Sequence, residues 1–420
     1  MSETAARPIV EPDTKDLLKQ RPFVLFWLAR LSATMGYHML AITIGWQVYA
    51  LTNSALDLGY IGLIQFIPSV LFTLLVGHAA DRYDRRTIVR SAQSLYVLVA
   101  VILTFAFSTG VLSRELLFGC VLLIGCARAF EMPTAHTLAS TLVPTNMIAR
   151  AIAAWTSANQ AAVICGPALG GLLYTISPVI VTVVCFVFTA TSITLISFVK
   201  IKSPPAKREP ATFASVLAGF EYVWTRPRLL GVITLDLFVM LLAGTTALLP
   251  IFARDILEVG PIGLGLLRSA PAVGALLTAL WMSYYPVERH IGAKMFAVVA
   301  IYGALTIVFG LSTWFPLSLL TLACLGAADA ISVVIRFSIV QIETPDEKRG
   351  RVSAINYLLV GSSNTLGEFE SGLVASWFGA VASVMIGGIG SLMVAAVWMG
   401  LFPALRKVDR FEPADDKKNA

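Results

Sequence analysis

Long apolar runs, broken by short polar or charged links, repeat along the whole chain. A spanning helix needs about 20 mostly apolar residues. Runs of that kind are predicted at about 23–50, 58–80, 88–108, 115–141, 148–174, 177–199, 228–253, 261–284, 293–312, 315–341, 348–376 and 378–402. The links at Thr52–Asp57, Ser108–Ser113, Ser177–Pro178, Asp255–Gly260 and Ser312–Trp314 are short, which forces neighbouring helices to run antiparallel in a bundle. One long interruption, Lys200 to Pro227, opens Lys200-Ile201-Lys202-Ser203-Pro204-Pro205 and cannot span. Within it Phe213, Val216, Leu217, Phe220 and Val223 recur at helical spacing, predicting a short amphipathic helix on the membrane surface or against the bundle. The expected organisation is an all-α membrane protein with 12 transmembrane helices in two six-helix bundles. Residues 1–22 form a tail, 23–199 the first bundle, 200–227 a linker, 228–403 the second bundle and 404–420 a second tail.

Composition agrees: 57% of the 420 residues are hydrophobic and only 13% charged, against roughly 25% charged in soluble domains. A net charge of +6 would suit a nucleic-acid partner, but the placement of the charges excludes it. Of 31 Lys and Arg, only Arg114 and Arg254 fall in one set of loops, and Arg30, Arg128, Arg268 and Arg336 lie inside apolar runs. The others crowd the tails and alternate loops, and the positive-inside rule then places both termini in the cytoplasm. Residues 1–22 carry no signal-peptide pattern. Cys120, Cys126, Cys165, Cys185 and Cys324 sit within apolar runs without metal-ligand or disulfide spacing, as small core residues do.

The halves repeat. With a shift of 201 positions Pro144 meets Pro345, Arg150 meets Arg351, Ala153 meets Ala354, Gly166 meets Gly367 and Gly171 meets Gly372, without a gap. A repeat of six helices, related by an axis along the membrane normal, is a transporter's architecture with the substrate held between halves.

One hydrophilic cluster stands out, Gly77-His78-Ala79-Ala80-Asp81-Arg82-Tyr83-Asp84-Arg85-Arg86, between the second and third runs. With the helix count and the central basic linker it resembles the major facilitator superfamily over nearly the whole chain. That family's loop motif reads roughly G-x-L-A-D-R-x-G-R-R/K; this chain keeps Gly77, Ala80, Asp81, Arg82, Arg85 and Arg86 but has Ala79 for leucine and Asp84 for the second glycine. Leu217-Ala218-Gly219-Phe220, Gln341-Ile342-Glu343-Thr344-Pro345, Gly350-Arg351-Val352 and Gly166-Pro167-Ala168-Leu169-Gly170-Gly171 resemble the branch containing the bacterial enterobactin exporter. The resemblance implies that Asp81 docks on the N-terminus of the eleventh helix, near Arg351, and latches the cytoplasmic side; arginines simply holding the loop in the cytoplasm are the plainer explanation. It also implies that Gly166, Pro167, Gly170 and Gly171 resemble the glycine-proline motif of antiporters, with Ala162 where that motif has glycine. Close helix packing explains the same residues.

Charges inside the runs carry the candidate chemistry, since each costs about 2.5–3.5 kcal/mol at a helix centre on insertion scales. Arg30 and His38 lie in the first helix, Arg128 and Glu131 in the fourth, Asp236 in the seventh, Arg268 in the eighth, Asp329 and Arg336 in the tenth, Glu368 and Glu370 in the eleventh. Arg128 and Glu131 share a face and can neutralise each other; Asp329 and Arg336 share one two turns apart. Positions 128 and 329 are repeat partners, so a salt bridge between them across the cavity is one expectation. Asp236 has no basic neighbour within a turn, so it is a proton-coupling candidate unless another helix pairs it. Glu131, Glu368 and Asp329 are the other coupling candidates. Arg30, His38, Trp46, Gln47, Arg128, Arg336 and Asn364 are candidates for the substrate cavity, although packing or interface anchoring is the favoured explanation of Trp46 and its aromatic neighbours. The four histidines are scattered, Gly263-Leu264-Gly265 lacks the rest of a phosphate loop, and no clustered nucleophile and base marks an enzyme.

The expectation is a monomeric, multi-pass transporter of the bacterial inner membrane, without cofactor or metal. Its partners are lipid, protons and a siderophore- or drug-like small molecule, exported by proton antiport. An importing proton symporter and a non-transporting sensor or scaffold on the same fold are the alternatives. Because Asp81 sits far from the midplane, Asp81→Asn is expected to slow flux in proteoliposomes several-fold while leaving equilibrium cargo binding nearly unchanged; a matching loss of binding would contradict a switching role.

Overall fold

The computed structural model describes residues 17, 19–72, 75–76, 79, 82–143, 147–199 and 213–411. We label its long helices α1 (Arg21–Thr52), α2 (Ala55–Leu71), α3 (Arg85–Thr109), α4 (Arg114–Thr141), α5 (Ile148–Ile176) and α6 (Pro178–Ser197) in the N-terminal half. In the C-terminal half they are α7 (Pro227–Ile256), α8 (Gly260–Tyr284), α9 (Ile291–Leu311), α10 (Phe315–Glu343), α11 (Asp346–Phe378) and α12 (Ala380–Leu401). Between the halves a linker helix, Phe213–Trp224, packs against α11, as its amphipathic pattern predicts, with Val223 buried. Helix starts follow ordinary capping chemistry. Ser54 accepts the Asp57 N–H, Asp84 that of Arg86 and Ser177 that of Val179, and Pro178 occupies the first turn of α6 where no donor is needed.

Among the described residues, eight helices are long and apolar enough to cross a membrane: α3, α4, α6, α7, α8, α9, α10 and α12. Of the others, α2 is apolar and described over 17 residues, and α1, α5 and α11 are richer in polar and small residues. They are among the helices that face the opposite half, where polar and small residues replace lipid-facing ones. The outer surface is apolar, with Phe105, Phe198, Leu277, Leu320 and Trp377 each more than half exposed, as a lipid solvent requires. α7 is not one continuous helix. It breaks at Ala243–Gly244, passes through a 3₁₀ turn at Thr245–Leu248 and ends in a π-turn at Phe252–Ile256. At the break Gly244 lies so close to the Gly367 backbone of α11 that any side chain would collide.

The halves meet along two seams, α2 with α11 and α5 with α8. Their closeness depends on glycine. A Cβ on Gly59 would lie 3.0 Å from the Phe369 carbonyl, and one on Gly372 2.5 Å from the Gly59 Cα. On the other seam Gly171 faces the Pro261 carbonyl and Gly265 the Pro167 carbonyl. The sequence repeat is therefore a repeat of contacts: Gly171 and Gly372 each seat on the other half, while Gly166 and Gly367 seat on the first helix of their own half, at His38 and Met240.

Both seams close at one end only. We call the end carrying Arg21, Arg86, Arg228 and Lys348 the basic end and the other the distal end. One apolar core runs through both halves distally, joining Met39, Tyr49 and Tyr96 to Leu249, Phe252, Leu264 and Phe309. Tyr60 stacks on Phe369 across the seam, ring centroids 5.9 Å apart. Toward the basic end the cores separate. Phe26, Leu138, Trp155 and Val199 form one cluster, whereas Leu229, Phe296, Ile335 and Val352 form another confined to the C-terminal half. Gly361, about two turns nearer the basic end than Glu368, has nothing within 4 Å of where its Cβ would be. Gly372→Ala and Gly265→Ala are accordingly expected to spread the distal seams, at about 1–3 kcal/mol each. Labelling of cysteines placed at Ile176 and Ile262 would then rise; unchanged labelling would contradict the seam's dependence on glycine.

Candidate functional site

In the N-terminal half the buried charge is settled among four helices. Arg30 of α1 donates to Glu131 of α4 at 2.5 Å, both groups about 5% exposed. Gln93 Nε2 and Tyr96 OH of α3 donate to the two carboxylate oxygens at 3.0 and 3.1 Å, and Ser192 of α6 donates to Gln93 Oε1 at 3.0 Å. The expected neutralisation of Glu131 by Arg128 is thus replaced by Arg30, because Arg128 points away and lies 4.3 Å over the Tyr37 ring. Gln93 and Tyr96, three residues apart in an apolar run, were the overlooked signal for this network.

The C-terminal half has a counterpart with the signs exchanged: α7 supplies the acid and α10 the base. Arg336 Nη1 donates to Asp236, and its Nη2 lies 3.6 Å from Asp329 Oδ1, so the shared face predicted for Asp329 and Arg336 is realised. Asp236 is not solitary, as its sequence neighbourhood suggested, since its partner comes from a helix 100 residues later. The bridge expected between Arg128 and Asp329 does not form: one is stacked on Tyr37 and the other is held near Arg336.

Between the halves lies a third polar group. Arg128 and Arg268 are both within electrostatic reach of His38 and Glu368. Glu368 borders α2, where Gly62 leaves room for its Cβ. Asn364, one turn nearer the basic end, is exposed. Glu370 takes a different direction, accepting from Ser371 at 3.4 Å. Neutral cross-half bonds surround the group: Gln160 Nε2 donates to the Ala272 carbonyl at 2.8 Å and Ser269 Oγ to that of Ile164 at 2.6 Å. Trp46 and Gln47 lie distally and are engaged by Tyr174, the first by an edge-on ring contact and the second by the Tyr174 hydroxyl, so packing accounts for both.

At the distal surface Tyr49 donates to Asp255, and Arg254 donates to the Tyr49 carbonyl at 3.2 Å. Arg114 pairs with the buried Asp57. The two arginines that defy the charge asymmetry of the loops therefore both have a defined partner. At the basic end Gly77 and Asp81 lie outside the described residues, and Arg82 is exposed. Arg86 donates to Asp84 and, at 2.8 Å, to the Val199 carbonyl, tying the start of α3 to the end of α6. The guanidinium beside it holds the Asp84 carboxyl below the usual carboxylate range. Asp84, the departure from the loop motif, thus serves as a helix cap with an ion pair. Arg85 is half-buried at the same corner. Arg351 is exposed and, with Lys348, Tyr222 and Glu221, lines a cavity of about 330 Å³ under the linker helix. Gly166 and Gly170 pack on His38 and Met39, and the turn holding Pro167 carries its carbonyl to Gly265.

Breaking a buried ion pair by removing one partner costs about 3–5 kcal/mol, whereas removing both is far milder. Arg30→Met alone and Glu131→Gln alone are expected to show losses of that size in unfolding measurements, and the double variant to recover most of them. Additive losses would contradict the pairing.

The profile of the family described as transmembrane secretion effector matches residues 16–418. The multidrug efflux pump Tap of Mycolicibacterium fortuitum is 27% identical, over 93% of this chain and 98% of its own length. The enterobactin exporter EntS of Citrobacter koseri is 25% identical, over 95% and 96%. A bacterial homologue of the human lysosomal transporter Spinster, solved inward-facing and unoccupied, superposes with a TM-score of 0.71 over 93% of this chain and 99% of its own, at 13% identity, which establishes the shared fold. The chain belongs to the transmembrane secretion effector family of the major facilitator superfamily, multi-pass membrane transporters of small molecules rather than enzymes.

Proposed function

We propose that this transporter exports a small organic molecule, siderophore- or drug-like, across the bacterial inner membrane in exchange for protons. Its two six-helix bundles, 23–199 and 228–403, rock about the midplane cluster, with 12 spans, both tails cytoplasmic and a single chain as the working unit. The observation that carries this reading is the one-sided seam. The halves share a core distally and part toward the basic end, which the positive-inside rule makes cytoplasmic. A site between them is then open to the compartment from which an exporter loads. Export itself is supported by the relatives named as an efflux pump and an exporter, each matched along nearly its full length.

Arg128, Arg268, His38 and Glu368 sit where cargo would bind, and Asn364 borders the same space. Coupling is assigned to the carboxylates within the helices, Asp236, Glu131, Glu368 and Asp329, as a group, with no bound cofactor. Closure of the basic end brings Asp81 and the arginines beside it toward Arg351. Proteoliposomes with an imposed pH gradient test the whole reading, with ethidium and iron-free enterobactin as probes. Gradient-accelerated movement of a probe against the proton flow is expected, with loss of that acceleration in at least one of Asp236→Asn, Glu131→Gln, Glu368→Gln and Asp329→Asn. Flux indifferent to the gradient and to all four changes would overturn proton coupling, and movement along with the protons would make the protein an importer.

A further inference from the structure

The two halves settle their buried charge differently. In the N-terminal half Arg30 and Glu131 balance, and three further side chains complete the network. In the C-terminal half two carboxylates, Asp236 and Asp329, share one guanidinium, leaving one negative charge over. The repeat shows what was exchanged: position 332, the partner of Glu131, is Ser332, and position 329, the partner of Arg128, is Asp329. The Ser332 hydroxyl is buried, with residue exposure of 4%, and makes no hydrogen bond to the protein. It borders a cavity of about 10 Å³ whose wall includes Asp329, Arg336 and Tyr302. That is about the smallest space that holds one water, and water there requires polar partners of this kind.

We infer that this cavity is the proton-carrying site of the transporter, with Asp329 as the group that takes the proton and a water bridging it to Ser332. The inference rests on the proton-coupled reading above and selects one site within it. Asp236 is a poor carrier because Arg336 contacts it directly and its side chain is only 6% exposed. Asp329 is farther from the guanidinium, and its side chain is 40% exposed against 6% for Asp236. Protonation turns the Asp329 carboxylate into a carboxylic acid. Arg336 keeps its charge and stays with Asp236, and the three-residue group becomes neutral at membrane depth. A neutral group is far cheaper to enclose than one with an uncompensated anion. The cavity wall is drawn from α7, α9 and α10, so the ionisable neighbours are Asp236, Tyr302 and Arg336. α8 meets α10 through Pro271 and Gly274, at Gly326 and Ala323, and the same antiparallel register brings Arg268 level with Asp329, so Arg268 is the cation on that side.

Infrared titration of the purified full chain in lipid tests this without any cargo. Acidification is expected to produce a carboxylic-acid stretching band that is lost in Asp329→Asn and kept in Asp236→Asn, Glu131→Gln and Glu368→Gln. Ser332→Ala, the gentler change, is expected to keep the band but move its frequency, because the acid loses its water-mediated partner. Thermal melts of each variant separate loss of the band from loss of fold. A band that survives in Asp329→Asn, vanishes in one of the other three, or appears only when sodium is replaced by choline overturns the assignment. A titrating Asp329 in a protein whose vesicles show no gradient-driven flux would leave the site standing and remove the export reading instead.

Discussion

A charge at membrane depth must find its partner inside the protein, and here each half finds its own. Arg30 with Glu131, and Arg336 with Asp236 and Asp329, join helices of one half only. Among the described residues the contacts between halves are of another kind: a shared distal apolar core, glycines against backbone, neutral hydrogen bonds to carbonyls, an aromatic stack and a surface group around Tyr49 and Asp255. Neutral bonds contribute about 0.5–1.5 kcal/mol each, whereas opening a buried ion pair costs several. The seams therefore hold the weakest polar contacts in the molecule, and the proposed rocking of the halves would part them there.

That division explains several features at once. Two of the four seam walls, α5 and α11, are too polar to register as spanning by hydropathy, since one face of each meets the opposite half. Arg114 and Arg254, misplaced by the loop rule, serve distal structure, the first within one half and the second across the halves. The cluster of Arg128, Arg268, His38 and Glu368 is the exception, charge shared between halves without direct pairing.

Much of the fold was legible because apolar length and charge placement respond to a single variable, depth in the membrane. The predicted run at 148–174 and the helix Ile148–Ile176 differ by two residues at one end. The repeat was legible because Gly166 and Gly171 must keep contacts that Gly367 and Gly372 keep in the other half. Pairing was not legible. Whether Asp236 faces Arg336 depends on the rotation of two helices distant in sequence, and a seventh-helix window holds no trace of it. The expected meeting of Arg128 with Asp329 failed for the same reason, since a repeat fixes position on a helix but not the partner that a neighbouring ring or guanidinium supplies. For Trp46 and Gln47 the packing explanation favoured from sequence agrees with the contacts Tyr174 makes, but that partner could not be named from the sequence.

The central claim is that two rigid halves, each internally charge-balanced or nearly so, alternate about glycine seams. Spin labels at Ile152 and Tyr284 report the basic end across the α5–α8 seam, labels at Ile176 and Ile262 the distal end, and a pair within α3 and α6 one half alone. Pulsed-resonance distances in lipid, taken across a pH step, test it most directly. The account predicts that the basic-end distance shortens as the distal one lengthens while the distance within the half stays fixed. Cross-seam distances that move together, or a within-half distance that changes as much as they do, would contradict it.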